Sequence, residues 1–197
     1  IYTPDDAPSQ WGHYSNIRKA NLFIDKVNST NLSDDWKRQR LGEARFLRAY
    51  YYMLLWTHHG GVPIITDVLN LTEQGDAIFR SRNTATETYQ FIVDELESIA
   101  NDLPIDAEDG RATRGAALTL KAWCELYWAS PYYNQDNDLS RWQKAASTYK
   151  QVIELGKYQL FPGYNDQFME SNNWNQETIF AKAYLGGTEL GGSREGL

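Results

Sequence analysis

Apolar residues recur at intervals of three and four in five stretches of this chain, separated by polar, Gly- and Pro-containing segments. That spacing lines one face of an α-helix. It predicts helices over about 10–28, 34–59, 84–103, 113–129 and 140–155. In the second, Leu41, Ala44, Leu47, Tyr51, Leu54 and His58 form one stripe and Phe46, Tyr50 and Met53 another, so its middle is expected between layers. Gly60 and Gly61 end it, since glycine takes the left-handed conformation that helix C-termini need, and Val62 to Thr66 reads as a short extended segment. Thr84 followed by Glu87 matches a capping box, and the stripe Tyr89, Ile92, Val93, Leu96, Ile99, Ala100, Leu103 runs up to Pro104. The fourth helix aligns Ala117, Leu120, Cys124 and Tyr127, carries small residues at 115–117 for a close approach, and stops at Ser130-Pro131. Ser140 with Gln143 reads as a second capping box, and 158–161 and 177–184 read as extended.

The turn at 28–33 is short enough to make the flanking helices antiparallel neighbours. Hairpins at 10–59 and 84–129, with a further helix at 140–155, therefore stack. Trp142 to Tyr149 fits the tetratricopeptide spacing W-x2-L-G-x2-Y with alanines at the small positions. The expected fold is mostly all-α: tetratricopeptide-like helical hairpins with a few short extended segments, as one helical-repeat domain over 1–197.

The run E-A-R-F-L-R-A-Y-Y-Y at 43–52, followed by G-G-V-P-I-I-T-D at 60–67, resembles the signature of the SusD/RagB family of outer-membrane nutrient-binding lipoproteins. Three further blocks, SNIRKANLFIDKV at 15–27, GRATRGAALTLKAWCELYWASP at 110–131 and WQKAASTYKQVIELGKYQL at 142–160, carry the resemblance in the same order. It implies a non-catalytic, surface-exposed protein of the cell outer membrane. Such a protein binds oligosaccharides or related nutrients and delivers them to a SusC-like TonB-dependent transporter. It also implies a chain of more than twice this length, anchored through a lipid-bearing cysteine that these 197 residues do not contain. The opening at Ile1 and the Gly-rich close GGTELGGSREGL predict a portion of that longer protein.

Composition narrows the alternatives. A content of 42% hydrophobic and 14% aromatic residues argues against disorder. A net charge of −7, with Lys and Arg interspersed among acids, argues against nucleic acid as a partner. No run of about 18 apolar residues is present, so no helix is expected to cross a membrane. The one cysteine, Cys124, lies on an apolar stripe and reads as a buried thiol.

Side chains that could carry chemistry were weighed in turn. His58 and His59 point about 100° apart on a helix and cannot chelate one metal as an i, i+4 pair does. Glu43 with Arg45 reads as a buried or interface ion pair, whereas Glu95 and Glu97 read as a solvated face. Asn134-x-Asp136-x-Asp138 has alternating oxygen ligands, but Leu139 stands where a calcium loop needs glycine and Ala145 where it needs its closing glutamate. Gly186-Gly187 and Gly191-Gly192 lack phosphate-loop partners. No catalytic residue, metal or cofactor is therefore expected.

What remains is an aromatic and amide mixture suited to sugars, which present flat C–H faces beside hydroxyls. Three places offer it: Tyr132, Tyr133, Asn134 and Asp136; Tyr2, Asp5, Asp6 and Trp11; and Asn172, Asn173 and Trp174. The expected ligand-binding residues are Trp11, Tyr132, Tyr133, Asn134, Asp136 and Trp174. The rival expectation is a tetratricopeptide-like adaptor that binds peptides or proteins.

Overall fold

The computed structural model describes residues 10–182. Six α-helices build it: α1 (His13–Val27), α2 (Asp34–His59), α3 (Leu71–Gln74), α4 (Ala85–Ile99), α5 (Arg114–Ala129) and α6 (Leu139–Glu154). No strand occurs among the described residues, so the architecture is all-α as the spacing predicts. The segments 62–66 and 158–161, read as extended, pair in no ladder; residues 183 and 184 lie outside the described part. The spacing missed α3 and the 3-10 turn Gly75–Ile78, because four residues are too few to show a period.

Packing follows chain order. α1 lies on α2, α2 on α4, α4 on α5 and α5 on α6, which is a stack of helical hairpins. The shared core contains Ile17, Phe46, Ala49, Tyr52, Leu55, Trp56, Val93, Leu96, Ala117 and Cys124. Every apolar position predicted for α4 is buried. On α2 the prediction needs correction: Phe46, Ala49, Tyr52, Met53 and Trp56 face the core, whereas Leu47 of the first stripe is 40% exposed. A helix that is apolar nearly all round cannot reveal from its own sequence which side its neighbours will choose.

Helix starts are set by side-chain caps. Thr84 and Glu87 form the predicted capping box, with Glu87 N–H donating to Thr84 Oγ1 at 3.1 Å and Thr84 N–H to the Glu87 carboxylate at 2.7 Å. Thr113 accepts from the Ala116 N–H at 3.2 Å. The second predicted box is not formed. Asp138 caps α6 by accepting from the Ser140 N–H at 2.9 Å, which places Ser140 inside the first turn.

The polar residues of the 43–52 run are turned inward. Arg48 donates to Glu95 Oε2 at 2.6 Å and to Asn21 Oδ1 at 2.9 Å, while Arg45 donates to Glu95 Oε1 at 2.7 Å. Two helices are thereby tied at one carboxylate and α1 is joined to them through Arg48, while Asn21 passes the tie on by donating to the carbonyls of Ile65 and Asp67. Glu95 is only 8% exposed, so its reading as a solvated residue is wrong. Its partners come from another helix, and one-helix periodicity does not see them. Glu43 is indeed in a partly buried ion pair, but with Arg40 at 2.6 Å and with Arg111, not with Arg45. The Tyr52 hydroxyl accepts from the Ile65 N–H at 2.7 Å and donates to its carbonyl at 3.1 Å, pinning the segment after the two glycines.

Candidate functional site

Ser130 caps the C-terminus of α5, and its hydroxyl donates to the Tyr127 carbonyl at 2.6 Å. The chain then turns through 131–138 into α6, and Asn134 organises that turn. Its buried amide donates to the carbonyls of Ala129 and Asp138, and its Oδ1 accepts from the Asp138 N–H at 2.8 Å. All the polar capacity of this side chain that these bonds use is internal, so Asn134 holds the loop. Hydrogen bonds from Ser140 hold the Asp138 carboxyl below the usual carboxylate range. Arg141 donates to the Tyr133 carbonyl at 2.7 Å and sits 5.1 Å from the centre of the Trp128 ring, a cation–π contact. Asp136 is exposed.

An aromatic column leads from the core to this loop. Trp56, fully buried, stacks on Tyr133 with ring centres 5.6 Å apart; Trp128 lies 4.6 Å from the same ring. Tyr133 in turn meets Tyr132 edge to face at 4.8 Å, and Tyr132 is 78% exposed. Burial pushes the Tyr133 hydroxyl up, so it stays neutral and able to donate through the physiological range. A branch runs from Tyr127 to Trp123, stacked at 5.4 Å and 8°, where Trp123 is 39% exposed. Sequence reasoning passed over Trp123; its place one turn before Tyr127 on α5 was the available signal.

Trp11 lies flat on His59, with ring centres 4.1 Å apart and an 11° tilt. Because His59 closes α2 one turn after Trp56, the structure brings Trp11 to the same end of the stack as Tyr132 and Tyr133. Tyr2, Asp5 and Asp6 lie outside the described residues, as do the glycine pairs at 186–187 and 191–192. Trp174 belongs to the opposite end, its ring edge 3.8 Å from the point where a Gly110 side chain would begin. Of the six expected ligand residues, Trp11, Tyr132, Tyr133 and Asp136 thus lie at one end of the stack, Asn134 is buried within the loop there, and Trp174 is remote.

Glu43, Asp94, Glu97 and Cys124 are each engaged within the structure. Burial raises the Glu43 carboxyl above its ordinary value while the Arg40 bond opposes the rise. Glu97 pairs with Lys121 at 2.7 Å, and Asp94 accepts from Gln90 at 2.7 Å. Cys124 is fully buried, and burial together with the neighbouring Glu125 charge pushes its thiol far up. Such a thiol is an inert core group. Among the described residues no three His, Cys, Asp or Glu side chains are placed to hold a metal ion, and no helix is long and apolar enough to cross a membrane.

Residues 1–126 match a family model described as SusD-like, "Starch-binding associating with outer membrane". A SusD-like protein of Bacteroides ovatus is 31% identical over 185 residues, which is 88% of this chain and 32% of that one. The solved structure of a SusD-like carbohydrate-binding protein from Bacteroides fragilis aligns with a TM-score of 0.78 at 29% identity, covering 93% of this chain and 34% of that one. A surface glycan-binding protein from Bacteroides thetaiotaomicron, solved with laminarihexaose, aligns at 0.70 and 26% identity over 87% of this chain and 34% of its own. The chain therefore spans about a third of the length of these relatives. With its ordered signature blocks, its stacked helical hairpins and the family-model match across nearly two thirds of its length, the chain belongs to the SusD-like family.

Proposed function

We propose that this chain is a helical-repeat domain of a glycan-binding protein at the outer-membrane surface, one that captures an oligosaccharide without altering it. The observation that carries the reading is the solvent-facing aromatic end built by Tyr132, Tyr133 and Trp11, in a chain whose first 126 residues match a starch-binding, outer-membrane family. A relative of similar fold is known with laminarihexaose bound.

Capture follows from simple chemistry. The exposed Tyr132 ring offers a π face to polarised sugar C–H groups, and the column beneath it holds that ring without ordering at binding. Asp136 supplies an acceptor for sugar hydroxyls at the same loop, and Trp11 offers a second platform on its His59 backing. Of the carboxylates that could be weighed for the two-carboxylate chemistry of glycoside hydrolysis, Glu43 and Glu97 are tied into ion pairs with Arg40 and Lys121. The same stack of helices is the part we assign to docking on a TonB-dependent transporter that takes up the captured glycan. Family membership gives the peptide-binding adaptor alternative no support.

Calorimetric titration of the chain against a panel of neutral oligosaccharides tests the reading. Saturable heat with one glycan class, without sugar release after long incubation, is expected; release of reducing sugar would overturn the non-catalytic assignment. For the partner, the full-length protein is expected to co-purify from its native outer membrane with a TonB-dependent transporter, and its isolation alone would refute that part.

A further inference from the structure

At the end of the stack opposite Tyr132, three sequence-distant segments meet around a cleft of about 220 Å³. They are the α4–α5 loop at 106–111, Lys157 and Tyr158 after α6, and the segment 174–180. Trp174 forms one wall. It adopts φ +61°, a left-handed conformation that a bulky side chain rarely takes and that neighbouring bonds must hold in place. Here Asn175 holds it: its amide donates to the Asn172 carbonyl at 3.1 Å, and its Oδ1 accepts from the Glu177 N–H at 2.9 Å. The Gln159 N–H donates to the Gln176 carbonyl at 3.1 Å, fixing the segment onto the chain after α6. The backbone around Trp174 is thereby held, and its ring edge lies beside Gly110 of the 106–111 loop.

The floor is Tyr158, which crosses the start of α5 so closely that a side chain at Gly115 would meet its hydroxyl at 2.2 Å. That hydroxyl lies 3.2 Å from Thr113 Oγ1, so the floor carries a polar pair beside an aromatic face. On the rim, Lys157 is engaged by Asp106 at 2.6 Å and Arg111 is turned to Glu43. Exposed Glu108 and Asp109 carry no ion pair among the described residues. They are acceptors only, and they leave the mouth of the cleft negative.

We infer that this cleft is a second saccharide subsite, made for one neutral sugar ring at a chain end or branch. The ligand class rests on the glycan reading given above, while the site itself does not share a residue with the Tyr132 end. Its volume lies below the ~300 Å³ at which drug-sized pockets begin, which suits one ring and not an oligomer. An aromatic wall takes the C–H face of that ring, and the free carboxylates take its hydroxyl donors while repelling uronates and sulfated sugars. The 16 residues of α5 separate the two sites by about 24 Å at ~1.5 Å per residue, so neither reports on the other directly.

The test is indole N–H NMR of the chain, with the Trp174 resonance assigned by Trp174→Phe. Methyl glycosides of glucose, galactose and mannose are titrated in parallel with methyl glucuronoside. The inference expects a saturable Trp174 shift with at least one neutral glycoside, weakened about tenfold or more for the glucuronoside and in Glu108→Ala/Asp109→Ala, and unchanged in Tyr132→Ala. The two rim residues are exposed, so their replacement leaves the fold in place as an internal check. Oligosaccharide binding that perturbs the Tyr132 end but leaves Trp174 silent with every neutral glycoside overturns the subsite and keeps the proposed function. A Trp174 response with a silent Tyr132 end supports the subsite and relocates the binding surface. Silence at both overturns both.

Discussion

The α2–α4 contact and the α5–α6 end both come from aromatic helical sequence interleaved with polar residues, and they use it in opposite directions. In the first, Arg45, Arg48 and Tyr52 turn inward onto Glu95 and the segment after the two glycines, so the residues of the signature run are scaffold. In the second, the buried Trp56 supports a column that ends in an exposed Tyr132. The most recognisable residues of the chain therefore serve its scaffold, and the ligand surface we propose lies in a loop outside the signature run. Separating the two regions by mutation tests this contrast.

The largest effect is expected from Glu95→Ala. It leaves Arg48, with its side chain only 6% exposed, without its carboxylate, and removal of one partner from a buried pair costs about 3–5 kcal/mol. Urea unfolding should show that loss, while glycan affinity of the remaining folded molecules should stay as it was. Lost affinity without lost stability would break the division between scaffold and surface.

Next is Gly61→Ala. A Cβ there would lie 1.9 Å from the Asn83 carbonyl oxygen, a backbone atom that cannot swing aside, so a destabilisation of about 1–3 kcal/mol or more is expected. Gly12→Ala, with nothing within 4 Å, serves as the silent control. Tyr52→Phe follows. It removes the hydroxyl that pairs both polar groups of Ile65 and should lower stability by about 1–3 kcal/mol. An unchanged denaturation midpoint would show that water replaces the hydroxyl.

The smallest effect is at the exposed end. Burial first, and then the charge of His58, lower the His13 pKa below its ordinary 6.5. The folded state therefore prefers neutral His13, and its contribution to stability is present above pH 6.5 and is lost as the pH falls through the lowered folded value. His13→Gln should flatten the acid side of the stability profile between neutral pH and pH 5; a profile identical to the parent would remove His13 from the account.

What could be foreseen follows the range of the interactions. Thr84 with Glu87, and the whole buried stripe of α4, were legible because caps and helix faces depend on residues within one or two turns. Ser140 was misassigned because Asp138, two residues earlier, competes for the same helix start. The Glu95 partners and the approach of Trp174 to Gly110 join residues far apart in sequence, and no local pattern encodes which carboxylate a given arginine meets. At the candidate site, Tyr132 as an exposed ring was foreseeable from its loop composition. Asn134 looked like a ligand from the same composition, yet its amide staples the loop, because Asn is equally suited to bonding its own backbone.

The most direct test of the central claim is amide-shift mapping of the chain during titration with laminarihexaose and a panel of other neutral oligosaccharides. The account predicts saturable shifts concentrated at Trp11, His59 and 130–136, abolished by Tyr132→Ala without a change in unfolding midpoint. Shifts that instead centre on Arg45, Arg48 and Glu95, or saturable binding that Tyr132→Ala leaves intact, would contradict it.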